Sequence, residues 1–230
     1  MDLSYPPFET IDPQGNPMGV SVDIAEGLAD FLQRPLRIEN TSFTGLIPAL
    51  RTGKVDVVIS SMTKTEERAE AIDFSEPYLT TGLALLIPKN SELETLDVID
   101  RDGNSVAVRQ GTTGEVWARA NLKNAKILAF EKENSAVLEV LQGKAQAFIY
   151  DQMSVWQNAR QHPDALRAVL QPIRVESWAI GIRRGNAELR EEVNAFLKAF
   201  RAEGGFERLG EKYLHEQKQA FAEQNIPFVF

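Results

Sequence analysis

The sequence predicts an α/β fold with mostly parallel strands. Two observations carry this. Helical and strand periodicities alternate along the chain, and short β-branched runs of the buried-strand type separate amphipathic stretches. A third observation predicts two lobes: the strand–helix pattern restarts near Ser105 with no long flexible linker before it. Tyr78–Ala84 and Glu176–Gly181 are the expected crossings, each a strand in its own right.

Taken in order, Ser21–Leu32 carries Val22, Ile24, Ala25, Leu28, Ala29 and Leu32 at helical spacing, and Pro35 prevents much continuation. Leu36–Glu39 reads as a strand. Thr44–Arg51 reads as a short helix with Leu46, Ile47 and Leu50 on one face and Gly53 as its stop. Val55–Ile59 is a β-branched run of the kind found in buried strands. Gly82–Ile87, Ser105–Val108, Lys126–Phe130, Gln146–Tyr150 and Ser177–Ile182 read as further strands. Thr113–Leu122, Ser135–Leu141 and Asp151–Gln161 read as helices. The tail reads as two helices, Glu188–Ala202 and Phe206–Glu223, parted by Gly204 and Gly205.

The totals narrow the function. The 230 residues are 43% hydrophobic and 25% charged, so the chain is globular and long enough for two small cores. A net charge of −8 with no Lys/Arg run argues against nucleic acid as a partner. There is no cysteine, hence no disulfide, thiolate metal site or cysteine nucleophile. The two histidines, His162 and His215, lie in polar helical stretches and read as surface residues, so neither a metal nor another cofactor is expected. No run of about 18 apolar residues marks a membrane span.

Several turns have the chemistry of a small zwitterion site. An amino acid needs a cation or helix N-terminus for its carboxylate, and an anion for its ammonium. Val57–Arg68 reads as a buried strand, a hydroxyl-rich turn and a helix start. Thr63 and Glu66 have capping-box spacing there, and Arg68 is close enough to reach a carboxylate in bidentate fashion. Val106–Glu115 repeats that logic through Gly111, Thr112 and Thr113, without the signature of a phosphate loop. Asp151 follows the apolar strand Ala147–Tyr150, where ligands of open α/β sheets sit; it is a candidate ammonium partner. Asp2, Tyr5, Phe8 and Phe43 supply an anion and aromatic surfaces. Each pattern also describes something plainer: an ordinary helix cap, a surface arginine or turn packing.

Together these segments resemble one family. Tyr5-Pro6-Pro7-Phe8-Glu9, Gly19–Ala25, Phe43–Leu50, Ser60-Ser61-Met62-Thr63 through Arg68, Ile72–Tyr78, Gln110–Gly114 and Gly143–Ala147 are similar to the polar amino-acid solute-binding proteins of bacterial ABC importers. That family is often called extracellular solute-binding family 3. The resemblance implies a type II periplasmic-binding fold. Lobe 1 would hold residues 1–81 and 178–230, and lobe 2 residues 82–177. It implies a ligand carboxylate on Arg68, Thr63, Thr112 and Thr113, and an ammonium on Asp151 and Ser61. The side-chain pocket would hold Asp2, Tyr5, Phe43 and Met62; Arg109, two residues before the Gly-Thr-Thr turn, is placed to face it as well and would oppose a cationic ligand. The implied partners are a free polar amino acid and the importer's membrane permease. The implied setting is periplasmic or extracytoplasmic, after removal of a signal peptide, with the protein a monomer. The family's first strand should precede Asp2, so that strand is expected to be lacking or trimmed.

The expected mechanism is hinge closure around the ligand, without catalysis. An enzyme of the cyclohexadienyl dehydratase type resembles the same scaffold and is the alternative, as is the ligand-sensing domain of a receptor. Such dehydratases appear with a glutamate three residues after the lobe 2 aspartate. Here Ser154 stands there, with no adjacent base to move a proton.

Overall fold

The structure is a computed structural model that describes residues 1–93, 95–226 and 230. The chain divides into two units, Met1–Thr80 with Ser177–Phe230, and Thr81–Glu176. In chain order the elements are β1 (Thr10–Ile11), β2 (Pro17–Met18), α1 (Val20–Leu32), α2 (Phe43–Arg51), β3 (Val57–Val58), α3 (Glu66–Ala69), β4 (Asp73–Pro88) and α4 (Leu96–Ile99). There follow β5 (Ser105–Arg109), α5 (Thr113–Asn121), β6 (Lys126–Phe130), α6 (Glu133–Leu141), β7 (Ala147–Asp151), α7 (Gln152–Gln161) and β8 (Leu166–Ile182). The tail is α8 (Ala187–Ala202), α9 (Gly205–Tyr213) and α10 (His215–Glu223). Both passages between units fall inside long strands, β4 and β8. No described helix is long and apolar enough to cross a membrane.

In the first unit, α1 starts against the Pro7-Phe8 turn: Val20 and Ser21 donate their N–H groups to the carbonyls of Pro7 and Phe8. Gly19 makes this approach possible. It has φ +122°, and a Cβ there would lie 2.5 Å from the Phe8 carbonyl oxygen. Leu46 and Leu50 of α2 pack with Val58, Met62, Ile72, Phe74 and Ala179 in one core. In the tail, α8 buries Leu189, Val193, Phe196 and Leu197, a helical stripe that repeats every turn.

In the second unit, the strands lie in the order β4-β7-β5-β6. Val106 and Val108 of β5 stand opposite Ala147 and Ile149 of β7. These residues, with Leu83, Leu85 and Ile87 of β4, form one core face, which Ala118 of α5 covers. All five residues of β7 are buried, as expected for a strand covered on both faces.

The structure corrects four sequence expectations. The strands are mixed: β5 pairs in parallel with β6 and β7, while β4–β7 and β3–β8 are antiparallel. The two strands that carry the chain between units break the parallel pattern. Phe206–Glu223 is two helices, because the fully buried Leu214 takes a non-helical φ of −128°. Thr63 is not the cap of α3; Thr65 is, accepting the Arg68 N–H. Residues 62–64 are drawn instead to the end of β8: Lys64 N–H bonds the Ser177 carbonyl, and Ala179 N–H the Met62 carbonyl.

Leu36–Glu39, finally, takes no regular secondary structure. A strand forms only against a neighbour. The space beside this segment is a groove of about 500 Å³, bounded across by Val55, Asp56 and Val57 and lined also by Leu28 and Ala29 of α1 and by Met1.

Candidate functional site

In the first unit the Ser60–Thr63 turn and α3 carry the predicted carboxylate group. Arg68 is half-buried. Its Nη1 donates to the Thr63 carbonyl at 2.7 Å, and its guanidinium lies 5.4 Å from the centroid of the Phe43 ring. Two independent contacts therefore fix the cation's direction, as a planar fork requires. Phe43 is placed in turn by Asp2, whose Oδ2 accepts the Phe43 N–H at 3.0 Å and whose Oδ1 accepts the Ser4 hydroxyl at 2.6 Å. Asp2, Phe43, Arg68 and Thr63 thus form one connected set. Asp2 serves it as a cap on α2, a role its position in the sequence did not reveal.

Tyr5 is buried in an aromatic cluster. It stacks on Phe8 with centroids 5.4 Å apart and meets Trp178 edge-on at 6.1 Å. Met62 is 1% exposed and its side chain lies in the core of this unit, not in a pocket. Ser61 has φ +49°, an uncommon conformation for a residue with a Cβ.

In the second unit, β5 ends at Arg109 and the chain turns at Gly111, with φ +75°, into α5. The Gly111 N–H donates to Glu115 Oε2 at 2.7 Å. Thr112 Oγ1 donates to the Arg109 carbonyl at 2.7 Å, and Thr113 Oγ1 to Glu176 Oε2 at 2.8 Å. Glu176 also receives Arg174 Nη2 at 2.5 Å. Arg109 is 3% exposed; its Nη1 donates to the Tyr150 hydroxyl at 3.2 Å. Burial raises the Tyr150 phenol above its ordinary range, against the opposing pull of Arg109. Asp151, at the end of β7, caps α7 by accepting the Met153 and Ser154 N–H groups on Oδ1, at 3.0 and 3.1 Å. Ser154 Oγ donates to Glu133 Oε1 at 2.5 Å, and Asn158 donates to the same oxygen at 2.9 Å.

A sequence model of the bacterial extracellular solute-binding proteins, family 3, matches residues 1–216. The chain belongs to that family. Its relatives include the L-arginine-binding protein of Pseudomonas aeruginosa, 28% identical over a 223-position alignment that covers 93% of this chain and 85% of that protein. Among solved structures, an ancestral arginine-binding protein bound to arginine is 31% identical with a TM-score of 0.86, over 93% of this chain and 95% of that one. The ancestral amino acid-binding protein AncCDT-1, a precursor of cyclohexadienyl dehydratase, is 35% identical with a TM-score of 0.83, over 92% of each chain.

As a member of this family, the chain carries organising residues to which sequence reasoning gave no role. In the sequence Glu9 stands out only as the end of the Tyr5–Glu9 motif, yet it is 1% exposed and bonded to Ser21, Ser60 and Ser61. Its signal was a lone carboxylate directly after Pro6-Pro7-Phe8. Glu133 holds Ser154 and Asn158, and no spacing in the sequence joins those three. Glu176, by contrast, reads in the sequence as a crossing residue able to adjust ligand preference or to pack the hinge, and its bond to Thr113 depends on tertiary structure.

Proposed function

We propose that this chain binds a free polar L-α-amino acid by hinge closure and delivers it to the membrane permease of an ABC importer. The observation that carries the reading is Arg68, a half-buried guanidinium aimed by the Phe43 ring and the Thr63 carbonyl. A guanidinium oriented in this way can offer a carboxylate two parallel charge-assisted hydrogen bonds. Asp151, at the end of a fully buried strand, supplies the anion for the ammonium, with Ser61 assisting. Thr63, Thr112 and Thr113 assist at the carboxylate. Asp2, Tyr5, Phe43 and Arg109 set side-chain preference, with basic and glutamine-like ligands ahead of acidic ones. The family's extracellular character supports an extracytoplasmic setting and a leader removed on export. The protein works as a monomer and without catalysis.

A thermal-shift screen over the twenty amino acids tests this. A ligand at 100 times its Kd adds about 2.7 kcal/mol of stability, a shift of several degrees. Stabilisation by arginine, lysine or glutamine supports the reading. No shift with any amino acid refutes it, and turnover of prephenate refutes its non-catalytic part.

A further inference from the structure

Three strands of the second unit hold the first turn of α5. Thr112 Oγ1 donates to the Arg109 carbonyl at the end of β5, at 2.7 Å. Gly114 lies so close to β7 that a Cβ there would stand 2.7 Å from the Ile149 carbonyl oxygen. Thr113 Oγ1 donates to Glu176 Oε2 of β8 at 2.8 Å. This third tie spans 63 residues of chain and ends on the last residue of the unit, where β8 leaves it. The Glu176 side chain is 2% exposed, and its other oxygen, Oε1, receives Arg174 Nη2 at 2.5 Å and Nε at 3.1 Å. A buried carboxylate is tolerated where a cation and hydrogen-bond donors face it, as here. A hydroxyl has one proton to donate, and Thr112 and Thr113 donate theirs to the protein. The Thr112 side chain makes no cap bond to α5. What this helix start offers an anion is therefore its main-chain N–H groups, whose direction the three ties set.

We propose that Glu176 is a positioning residue for amino-acid binding: through the Thr113 hydroxyl it holds the start of α5 in the orientation from which its N–H groups meet the ligand carboxylate. The proposal rests on the role given above to Thr112 and Thr113. Glu176 acts through Thr113 and not by contact with the ligand. Without the third tie, β5 and β7 alone hold the first turn, which is then free to tilt about them.

The test is a double-mutant cycle on Thr113→Val and Glu176→Ala, with Thr113→Ser and Glu176→Gln as conservative variants. Affinities for L-arginine and L-glutamine are measured by calorimetry. Hydrogen exchange of the Val116 amide, which bonds the Thr112 carbonyl, is followed without ligand. Thr113→Val and Glu176→Ala should each weaken binding by about tenfold, the scale of one hydrogen bond to a charged group. The loss should be equal for the two ligands, since the carboxylate is common to both. The double variant should bind no worse than the weaker single one, because both substitutions remove the same tie. Thr113→Ser keeps the hydroxyl. Glu176→Gln keeps an acceptor oxygen, while Arg174, 40% exposed, can turn to solvent. These two should restore most of the affinity and the Val116 protection that the cycle variants lose. Losses that multiply in the double variant, a loss confined to one ligand, or unchanged affinity in either single variant overturn the proposal. Thr113→Val leaves the Arg174–Glu176 pair intact, so it decides the matter if Glu176→Ala does not fold: unaltered Val116 protection then overturns the proposal. A wild type that binds neither amino acid overturns the functional reading and this role together. A wild type that binds, with variants that bind equally well, overturns this role alone.

Discussion

Gly114→Ala should destabilise the protein, although alanine is the better helix former. Gly114 lies in the first turn of α5, and a Cβ there would stand 2.7 Å from the Ile149 carbonyl oxygen of β7. An ordinary carbon–oxygen contact is about 3.3–3.6 Å, so α5 must retreat by roughly 0.6–0.9 Å. Overpacking of this kind costs about 1–3 kcal/mol. Replacing a helical glycine returns about 0.5–1 kcal/mol. The balance is a loss of up to about 2.5 kcal/mol, which in a chain of this size lowers Tm by up to about 10 °C. Gly210→Ala is the control. It sits inside α9, and its Cβ would meet only the movable Lys218 side chain at 3.3 Å. There the helix-propensity gain should dominate and raise Tm by about 1–4 °C. Thermal unfolding followed by circular dichroism reads both. Equal stabilisation by the two substitutions would refute the close approach of α5 to β7. Because Thr112 and Thr113 begin this helix, Gly114→Ala should also weaken amino-acid binding in calorimetry.

Arg68→Ala should reduce amino-acid affinity by about 2–5 kcal/mol, at least about 30-fold, with Tm nearly unchanged in the absence of ligand. Unaltered affinity in calorimetry would remove Arg68 from the site. Met62→Ala should cost about 2–5 kcal/mol in chemical denaturation, because it opens a cavity in the core. Loss of affinity at undiminished stability would instead put Met62 in the ligand pocket. The Asp100 carboxylate accepts the N–H groups of Ala125, Lys123 and Asn124, which hold its pKa below the ordinary 3.8. A depressed carboxylate contributes stability above its unfolded value and loses it as pH falls through the folded one. Asp100→Asn should therefore be less stable than the wild type at pH 7, with the gap closing below about pH 4. A constant gap across a pH series of melts would contradict this.

The sequence by itself determined most elements, since local spacing suffices for them. Val22, Ile24, Ala25 and Leu28 mark the buried face of α1, and Lys126–Phe130 is the whole of β6. It also placed Arg68 two turns from a hydroxyl-rich turn, and the ordered motifs carried the family. Pairing was not legible. Leu36–Glu39 has a strand's composition but borders a groove, and Thr63 has a cap's spacing but is drawn to β8. Only the tertiary structure joined Asp2 to Phe43, Phe43 to Arg68, and Glu9 to the turn between them. Those contacts span 12 to 52 residues of chain in the cases of Ser21 and Ser61, where no local period operates. The physical reason is that periodicity reports which face a residue presents, while a hydrogen bond across the fold depends on which other segment comes to meet it.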